Sequence, residues 1–206
     1  MAHLIRELDM FLIEDDVYAV LEEELLTPVS AHIPERSFYL TSLSKALAPG
    51  LRIGFLFVPG DRIVEIEAAM AASIWLIPPL MAEISCQWIE DGTAARVAII
   101  KRQEAARRAG LLKDQLPNTD LVFRPGGLHL WLRLPDPWQG EDFARQAAKE
   151  GVLVIPSVNF FPGPHPEHQA VRLCVGPPKS DEELTHGAEL LDSLLKKKPE
   201  DGIPII

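Results

Sequence analysis

Three short apolar runs, each followed at once by polar or turn residues, limit what the first part of this chain can fold into. Phe11-Leu12-Ile13 ends on Glu14-Asp15-Asp16, Ser37-Phe38-Tyr39-Leu40 leads into Thr41-Ser42-Leu43-Ser44-Lys45, and Gly54-Phe55-Leu56-Phe57-Val58 stops at Pro59-Gly60. Runs this short, bounded by turn residues, read as strands, the first of them buried. Residues 1–10 read as the tail of a helix, and 21–36, with Pro28 and Pro34, as a loop. Helical spacing takes over at Asp61, expected to cap a helix to about 73 with Ile63, Ile66 and Met70 on one face. Pro78-Pro79 breaks the chain, a helix is expected over 80–91, and Thr93 starts a long one to about 115.

After Pro117 the pattern changes. Strands are expected at 121–123 and 128–134 around Pro125-Gly126-Gly127, then a helix at 141–150 ended by Gly151 as its C-cap. Strands at 152–155 and 170–175 follow, and Ser180 caps a last helix to about 196. The expected fold is α/β: part of a large domain with a mainly parallel sheet, then a small α+β domain. The large-domain part covers 1–115 and includes the long interdomain helix; the small domain covers 116–197, with a loose tail at 198–206.

The chain has 206 residues, 47% hydrophobic and 24% charged, enough for one large or two small globular domains. Its formal charge of −10 repels a phosphate backbone, so nucleic-acid binding by this chain alone is not expected. A local basic pocket for one small phosphate is compatible with that charge. The basic residues Arg96, Lys101, Arg102, Arg107 and Arg108 on the long helix read as a solvated face. Cys86 and Cys174 lie far apart without metal-ligand spacing and read as buried thiols in a reducing compartment. No apolar run approaches the ~18 residues of a membrane span, and residues 1–7 lack a signal-like apolar stretch. No membrane association is expected, and the cytoplasm is the expected location.

Lys45 is the residue with the most chemistry around it. It follows an expected strand, has hydroxyls beside it at Ser42 and Ser44, and precedes a Pro49-Gly50 turn and Arg52. Two hydroxyls and a guanidinium suit a phosphate monoester dianion, through charge-assisted hydrogen bonds. A lysine amine held in such a place can attack an aldehyde, as a Schiff base with pyridoxal 5′-phosphate (PLP) requires. Composition alone also allows a plain polar loop with a Pro-Gly turn. Upstream, Asp15 stands where the first strand should end, with Tyr18 after it. Ligand sites of open α/β sheets lie at such strand ends. A carboxylate there can keep the PLP ring nitrogen protonated and a phenol can bond the ring's 3-oxygen. Acids that merely cap a turn are the plainer alternative.

Ile13-Glu14-Asp15-Asp16-Val17-Tyr18 and Ser42-Leu43-Ser44-Lys45-Ala46-Leu47-Ala48-Pro49-Gly50-Leu51-Arg52-Ile53-Gly54 together resemble, in order, the fold-type I PLP-dependent aminotransferases of class I/II. The likeness continues through Gly126-Gly127-Leu128-His129-Leu130-Trp131-Leu132 and Val171-Arg172-Leu173. It implies amino-group transfer between an amino acid and a 2-oxo acid, with PLP as cofactor. Carried over by position, it implies that Lys45 forms the Schiff base and moves the proton, and that Asp15 pairs with the pyridinium nitrogen. Tyr18 would bond the 3-oxygen, Ser42, Ser44 and Arg52 would hold the phosphate, and Arg172 would clamp the substrate α-carboxylate. Within the family, Trp75-Leu76-Ile77-Pro78-Pro79-Leu80-Met81-Ala82-Glu83-Ile84, Trp88-Ile89-Glu90-Asp91-Gly92-Thr93 and His129-Leu130-Trp131 resemble the aminotransferase-like domain of MocR-type transcription regulators. A PLP-binding sensor domain, without its DNA-binding domain, is therefore the second expectation, and an inactive fragment the third.

Several features depart from the family pattern. The upstream half that completes the sheet, the phosphate cradle and the contact with a homodimer partner has no counterpart in residues 1–10. The expectation is an incomplete chain with uncovered strand edges and apolar faces. Ser157 stands where relatives often carry glycine, and His129 where an aromatic is more usual, read as a packing residue. The stretch Pro162-Gly163-Pro164-His165-Pro166, with His168, reads as a turn and not a metal site.

Overall fold

A computed structural model describes residues 1–163 and 168–197. The chain divides into two compact units, Met1–Lys101 and Arg102–Ile206. The sequence reading set the division at 115; the contacts set it inside the long helix. That helix, Thr93–Gln115, gives Ala98 to the first core and Ala105, Ala109 and Leu112 to the second. Pro164 to Pro166 of the expected turn, and the tail 198–206, lie outside the described residues.

The first unit opens with helix α1 (Ala2–Glu7) and strand β1 (Leu12–Asp15). Strand β2 (Ser37–Ser42) lies between β1 and β3 (Gly54–Phe57). β1 runs parallel to β2, with Asp15 opposite Leu40, whereas β3 is antiparallel to β2, with Ser42 opposite Gly54. The mainly parallel sheet expected from sequence is thus, in these strands, one parallel and one antiparallel pairing. The strands pack tightly at Gly54: a Cβ there would sit 3.3 Å from the Thr41 carbonyl oxygen. The expected loop at 21–36 is partly organised into 3-10 turns at Val29–His32 and Pro34–Arg36. Glu14 anchors the first, accepting from the backbone N–H of Val29 at 3.0 Å and of Ser30 at 2.8 Å.

Helix α2 (Leu43–Ala46) is a single turn, capped by Ser42, whose side chain accepts from the Ser44 N–H at 3.4 Å. Helices α3 (Ile63–Ile74), α4 (Pro79–Glu90) and the first part of α5 (Thr93–Gln115) follow. Leu43, Ala46, Leu47, Leu51, Ile53 and Ala98 form the core of this unit, with Met81, Ala82, Ile84 and Trp88 of α4 packed on it. Asp61 does not cap α3: Gly60–Arg62 forms a 3-10 turn, and the N-cap position is Arg62, with no side-chain cap bond. No residue of α3 is buried, and Ile63, Val64 and Met70 are exposed. Cys86 is exposed and Cys174 only partly covered, so neither is the fully buried thiol expected. Cys86 points off the α4 face that buries Ser85 and packs Met81, Ala82, Ile84 and Trp88.

The second unit contains β4 (Asp120–Phe123), β5 (His129–Arg133), α6 (Gly140–Lys149), β6 (Ile155–Pro156), β7 (Ala170–Cys174) and α7 (Asp181–Leu195). Its sheet has the order β4-β5-β7-β6, with all pairings antiparallel. Alternation sends Leu130, Leu132, Val171 and Leu173 into the core. They meet Phe143 and Ala147 of α6 and Leu184, Ala188, Leu191 and Leu194 of α7. The α7 residues recur at helical spacing on one face. Ser180 caps α7, accepting from the Glu183 N–H at 3.2 Å, and Gly151 follows α6 with φ +90°. Gly126 has φ +81°, and a Cβ there would lie 2.5 Å from Cγ of Arg102. The strand expected over 152–155 is shorter, Ile155–Pro156, because Val152 and Val154 pack on the core ahead of the ladder.

Candidate functional site

Parallel pairing puts the C-terminal ends of β1 and β2 on the same edge of the first unit's sheet. β1 ends on Asp15; β2 ends on Ser42 and runs directly into the turn that carries Lys45. That edge is where open α/β sheets present ligand-binding groups.

The Lys45 Nζ lies 5.7 Å from the centroid of the Tyr18 ring, which it faces in a cation–π arrangement. The Lys45 side chain is on the exposed side of α2, while Leu43 and Ala46 bury the opposite side. Asp15 is exposed, and one of its oxygens accepts from the Val17 N–H at 3.3 Å. Asp16 is engaged elsewhere. Its Oδ2 accepts from the Tyr39 hydroxyl at 3.0 Å, and its carbonyl accepts from Thr41 Oγ1 at 3.3 Å. Burial, and the bond to Asp16, push the Tyr39 phenol above its ordinary range. Each of the two adjacent carboxylates thus accepts one hydrogen bond, Asp15 from a backbone N–H and Asp16 from a side chain, and Asp15 is the more exposed.

Arg52 follows the 3-10 turn Pro49–Leu51 in a left-handed conformation, φ 56° and ψ 32°. Its neighbour Ile53 accepts from the Leu43 N–H at 3.1 Å, which ties the Arg52 backbone to the start of α2. Among the described residues no hydrogen bond or ion pair holds the exposed Arg52 guanidinium. Ser42 and Ser44 place hydroxyls at the start of α2, and the Arg52 backbone lies next to the residue bonded to that start. The set of an amine, a phenol, a carboxylate, two hydroxyls and an unpaired guanidinium fits a small molecule that has an aldehyde, a basic ring nitrogen and a phosphate dianion.

Arg172 belongs to the second unit. It lies opposite Trp131 on β5 and Ile155 on β6, on the sheet face away from Leu130, Leu132, Val171 and Leu173. Its Cζ is 4.8 Å from the centroid of Phe160, whose ring also meets Trp131 edge-on at 5.6 Å. Its Nε is buried and, among the described residues, without a hydrogen-bond partner. Phe160 covers the guanidinium in a cation–π contact. Ser157 is buried, and its hydroxyl accepts from the Ala170 N–H at 3.3 Å, a bond that glycine could not make. His129 lies opposite Cys174 in the sheet. No cluster of metal-ligating side chains occurs among the described residues, and no described helix is long and apolar enough to cross a membrane.

Sequence reasoning passed over two residues of this architecture. Phe160 has no motif of its own, and only the fold places it under Arg172. Lys101 was read as part of a solvated face, yet its Nζ donates to the carbonyls of Lys45, at 3.3 Å, and of Leu47. Burial lowers its pKa. Arg108 is likewise not merely solvated: it donates to the carbonyls of Val175 at 3.0 Å and Pro178 at 2.8 Å.

The family model for aminotransferase class I and II matches residues 1–191. Among curated proteins, the uncharacterized HTH-type transcriptional regulator YdeF of Bacillus subtilis is 30% identical over 94% of this chain and 42% of its own length. The 2-aminoadipate transaminase of Thermus thermophilus is 26% identical over 77% of this chain and 42% of its own. The chain spans about half the length of the curated relatives it matches or less. Among solved structures, an archaeal alanine:glyoxylate aminotransferase superposes with a TM-score of 0.81 at 25% identity, covering 94% of this chain and 50% of that one. The α-aminoadipate aminotransferase LysN of Thermus thermophilus gives 0.79 at 23%, covering 95% and 52%.

Proposed function

Because this chain belongs to the aminotransferase class I and II family, we propose that it forms part of a PLP-dependent aminotransferase that moves an amino group between an amino acid and a 2-oxo acid. The observation that carries the reading is the placement of Lys45 against Tyr18, beside the strand that ends on Asp15. When bound, PLP supplies an electron sink for charge that develops at the substrate Cα.

This chain's residues have distinct tasks in that reading. Lys45 would hold the cofactor through its amine and, freed from it, would carry the proton taken from the substrate Cα. Asp15 would pair with the ring nitrogen, and Tyr18 would bond the 3-oxygen. Ser42, Ser44 and Arg52 would take the phosphate, and Arg172 would orient the substrate by its α-carboxylate. Amino acids and 2-oxo acids are the proposed substrates, and a second copy of the full-length domain the proposed partner. The free thiols Cys86 and Cys174 agree with the cytoplasm as the proposed location.

A second reading is favoured by the 30% identity to a transcriptional regulator over 94% of the chain. In it the same residues bind PLP as an effector, without turnover. The decisive experiment adds PLP to the full chain, reduces with borohydride and maps the modified lysine. Attachment at Lys45, lost in Lys45→Ala, supports both readings; modification spread over surface lysines overturns both. Release of a 2-oxo acid from an added amino acid then selects the enzyme. Arg172→Ala should leave PLP attachment intact and weaken amino-acid binding; loss of both together would refute its assigned role.

A further inference from the structure

We propose that Lys101 is a positioning residue for Lys45, acting through the backbone of the turn that carries it. This inference rests on the reading of Lys45 as the PLP-binding lysine.

α2 has only four residues, Leu43–Ala46, and one turn of helix does not sustain itself in water. Its last carbonyls also lack partners further along a helix. The residue that follows, Leu47, leaves helical geometry with φ −115° and ψ −87°. Local sequence therefore does little to fix the backbone from which the Lys45 side chain projects.

Two tertiary contacts do. The apolar side of the turn is held by the core of Leu43, Ala46, Leu47, Leu51, Ile53 and Ala98. Its C-terminal end is held by Lys101, one turn along α5 from Ala98 and Val97. Packing of Ala94, Val97 and Ala98 sets the face of α5 that meets α2, and Lys101 continues that face. Its ammonium donates to the carbonyl of Lys45 itself and to that of Leu47. A cation at a helix C-terminus answers both the unsatisfied carbonyls and the negative end of the peptide dipoles.

The apolar contacts, the Ser42 cap and the Leu43 N–H bond to the Ile53 carbonyl hold the start and one side of the turn. Bonds to two carbonyls resist rotation at its C-terminal end. Rotation decides whether Lys45 faces Tyr18 and the strand end at Asp15, and displacement of a reacting group by about 1 Å can cost about a hundredfold in rate. Lys101 contacts neither the Lys45 amine nor any group of the proposed cofactor cradle, so its action is indirect.

The test compares the full wild-type chain with Lys101→Met and Lys101→Arg. Met keeps the apolar stem and removes both bonds; Arg restores a cation with several donors. Each is treated with PLP, reduced with borohydride and mapped for the share of label on Lys45 relative to the other lysines. Amide hydrogen exchange is followed over 43–51. We expect Lys101→Met to lower the labelling preference for Lys45 about tenfold or more, to speed exchange in 43–51 and to leave the rest of the chain unchanged. Lys101→Arg should recover most of both.

Unchanged preference in Lys101→Met overturns the proposal, even where exchange is faster, because the residue would then be only a structural clasp. Equal loss in the Met and Arg variants overturns it too. If Lys101→Met does not fold, Lys101→Gln decides: a preference equal to wild type overturns the proposal, and an intermediate one supports it. Absence of preferential Lys45 labelling in the wild-type chain refutes the PLP reading, and this inference falls with it.

Discussion

The two units treat their apolar residues in opposite ways. In the second, Leu132, Phe143 and Val171 are fully buried, and the leucines of α7 close the core. In the first, every residue of β3 is exposed, α3 buries nothing, and Ile13, Phe57, Val64 and Trp75 are 72%, 66%, 79% and 80% exposed. One unit is stabilised by its own core. The other has a smaller core and holds Lys45, Asp15, Tyr18 and Arg52 beside a sheet whose outer strands expose most of their apolar residues. Exposed apolar surface on this scale marks a surface made to be covered.

Several substitutions would break or sharpen that contrast. The largest effect is expected from Phe143→Ala, which removes a buried ring in edge contact with Trp138, 5.1 Å between centroids. It should cost about 3–5 kcal/mol in urea unfolding. Leu51→Ala, in the smaller core around α2, should cost less, about 2 kcal/mol. A loss as large as that of Phe143→Ala would mean that the first unit is as tightly packed as the second.

Glu14 gives a test by pH. Burial pushes its carboxyl up, but the backbone and side chain of Ser30 and the Val29 N–H outweigh that and hold it below the ordinary range. A carboxyl lowered on folding stabilises the protein above the unfolded-state pKa, and the effect is lost as pH falls through the folded value. Glu14→Gln should flatten the acid side of a stability–pH curve and cost about 1 kcal/mol near neutrality, in line with loss of a cap. An unchanged acid limb would show that the Glu14 bonds do not persist in solution.

The smallest effect is expected for Phe57→Ser. Among the described rings, its exposed ring meets only that of Tyr39, centroids 6.0 Å apart, so the change in stability should be about 0.5 kcal/mol. Chain association, followed by sedimentation, should fall if this face is sticky. A destabilisation of several kcal/mol would show that β3 is covered in solution and would remove the contrast between the units.

Local sequence carried much of this structure. The short runs at 11–13, 37–40 and 54–58 became β1, β2 and β3, because brief apolar stretches between turn residues suit a strand, but the burial expected of the first did not follow, with Ile13 72% exposed. The start of the last helix was marked by Ser180, and Gly151 marked an end that only a glycine-like conformation serves well. Asp61 misled, because a cap works only where the chain leaves extended geometry just before the helix. Here a 3-10 turn occupies that place. The basic face of α5 misled for a different reason. Charge pattern registers a lysine's stem and head, but not whether carbonyls wait within reach.

What the sequence by itself determined was the order of elements and the motifs around Lys45, Asp15 and Arg52, since these depend on neighbours along the chain. Only the tertiary structure decided that Asp16 accepts from Tyr39, that Phe160 packs against Arg172, and that Lys101 holds the carbonyl of Lys45. Each of these joins residues 12 or more positions apart, so each depends on packing and strand register, which no local pattern encodes.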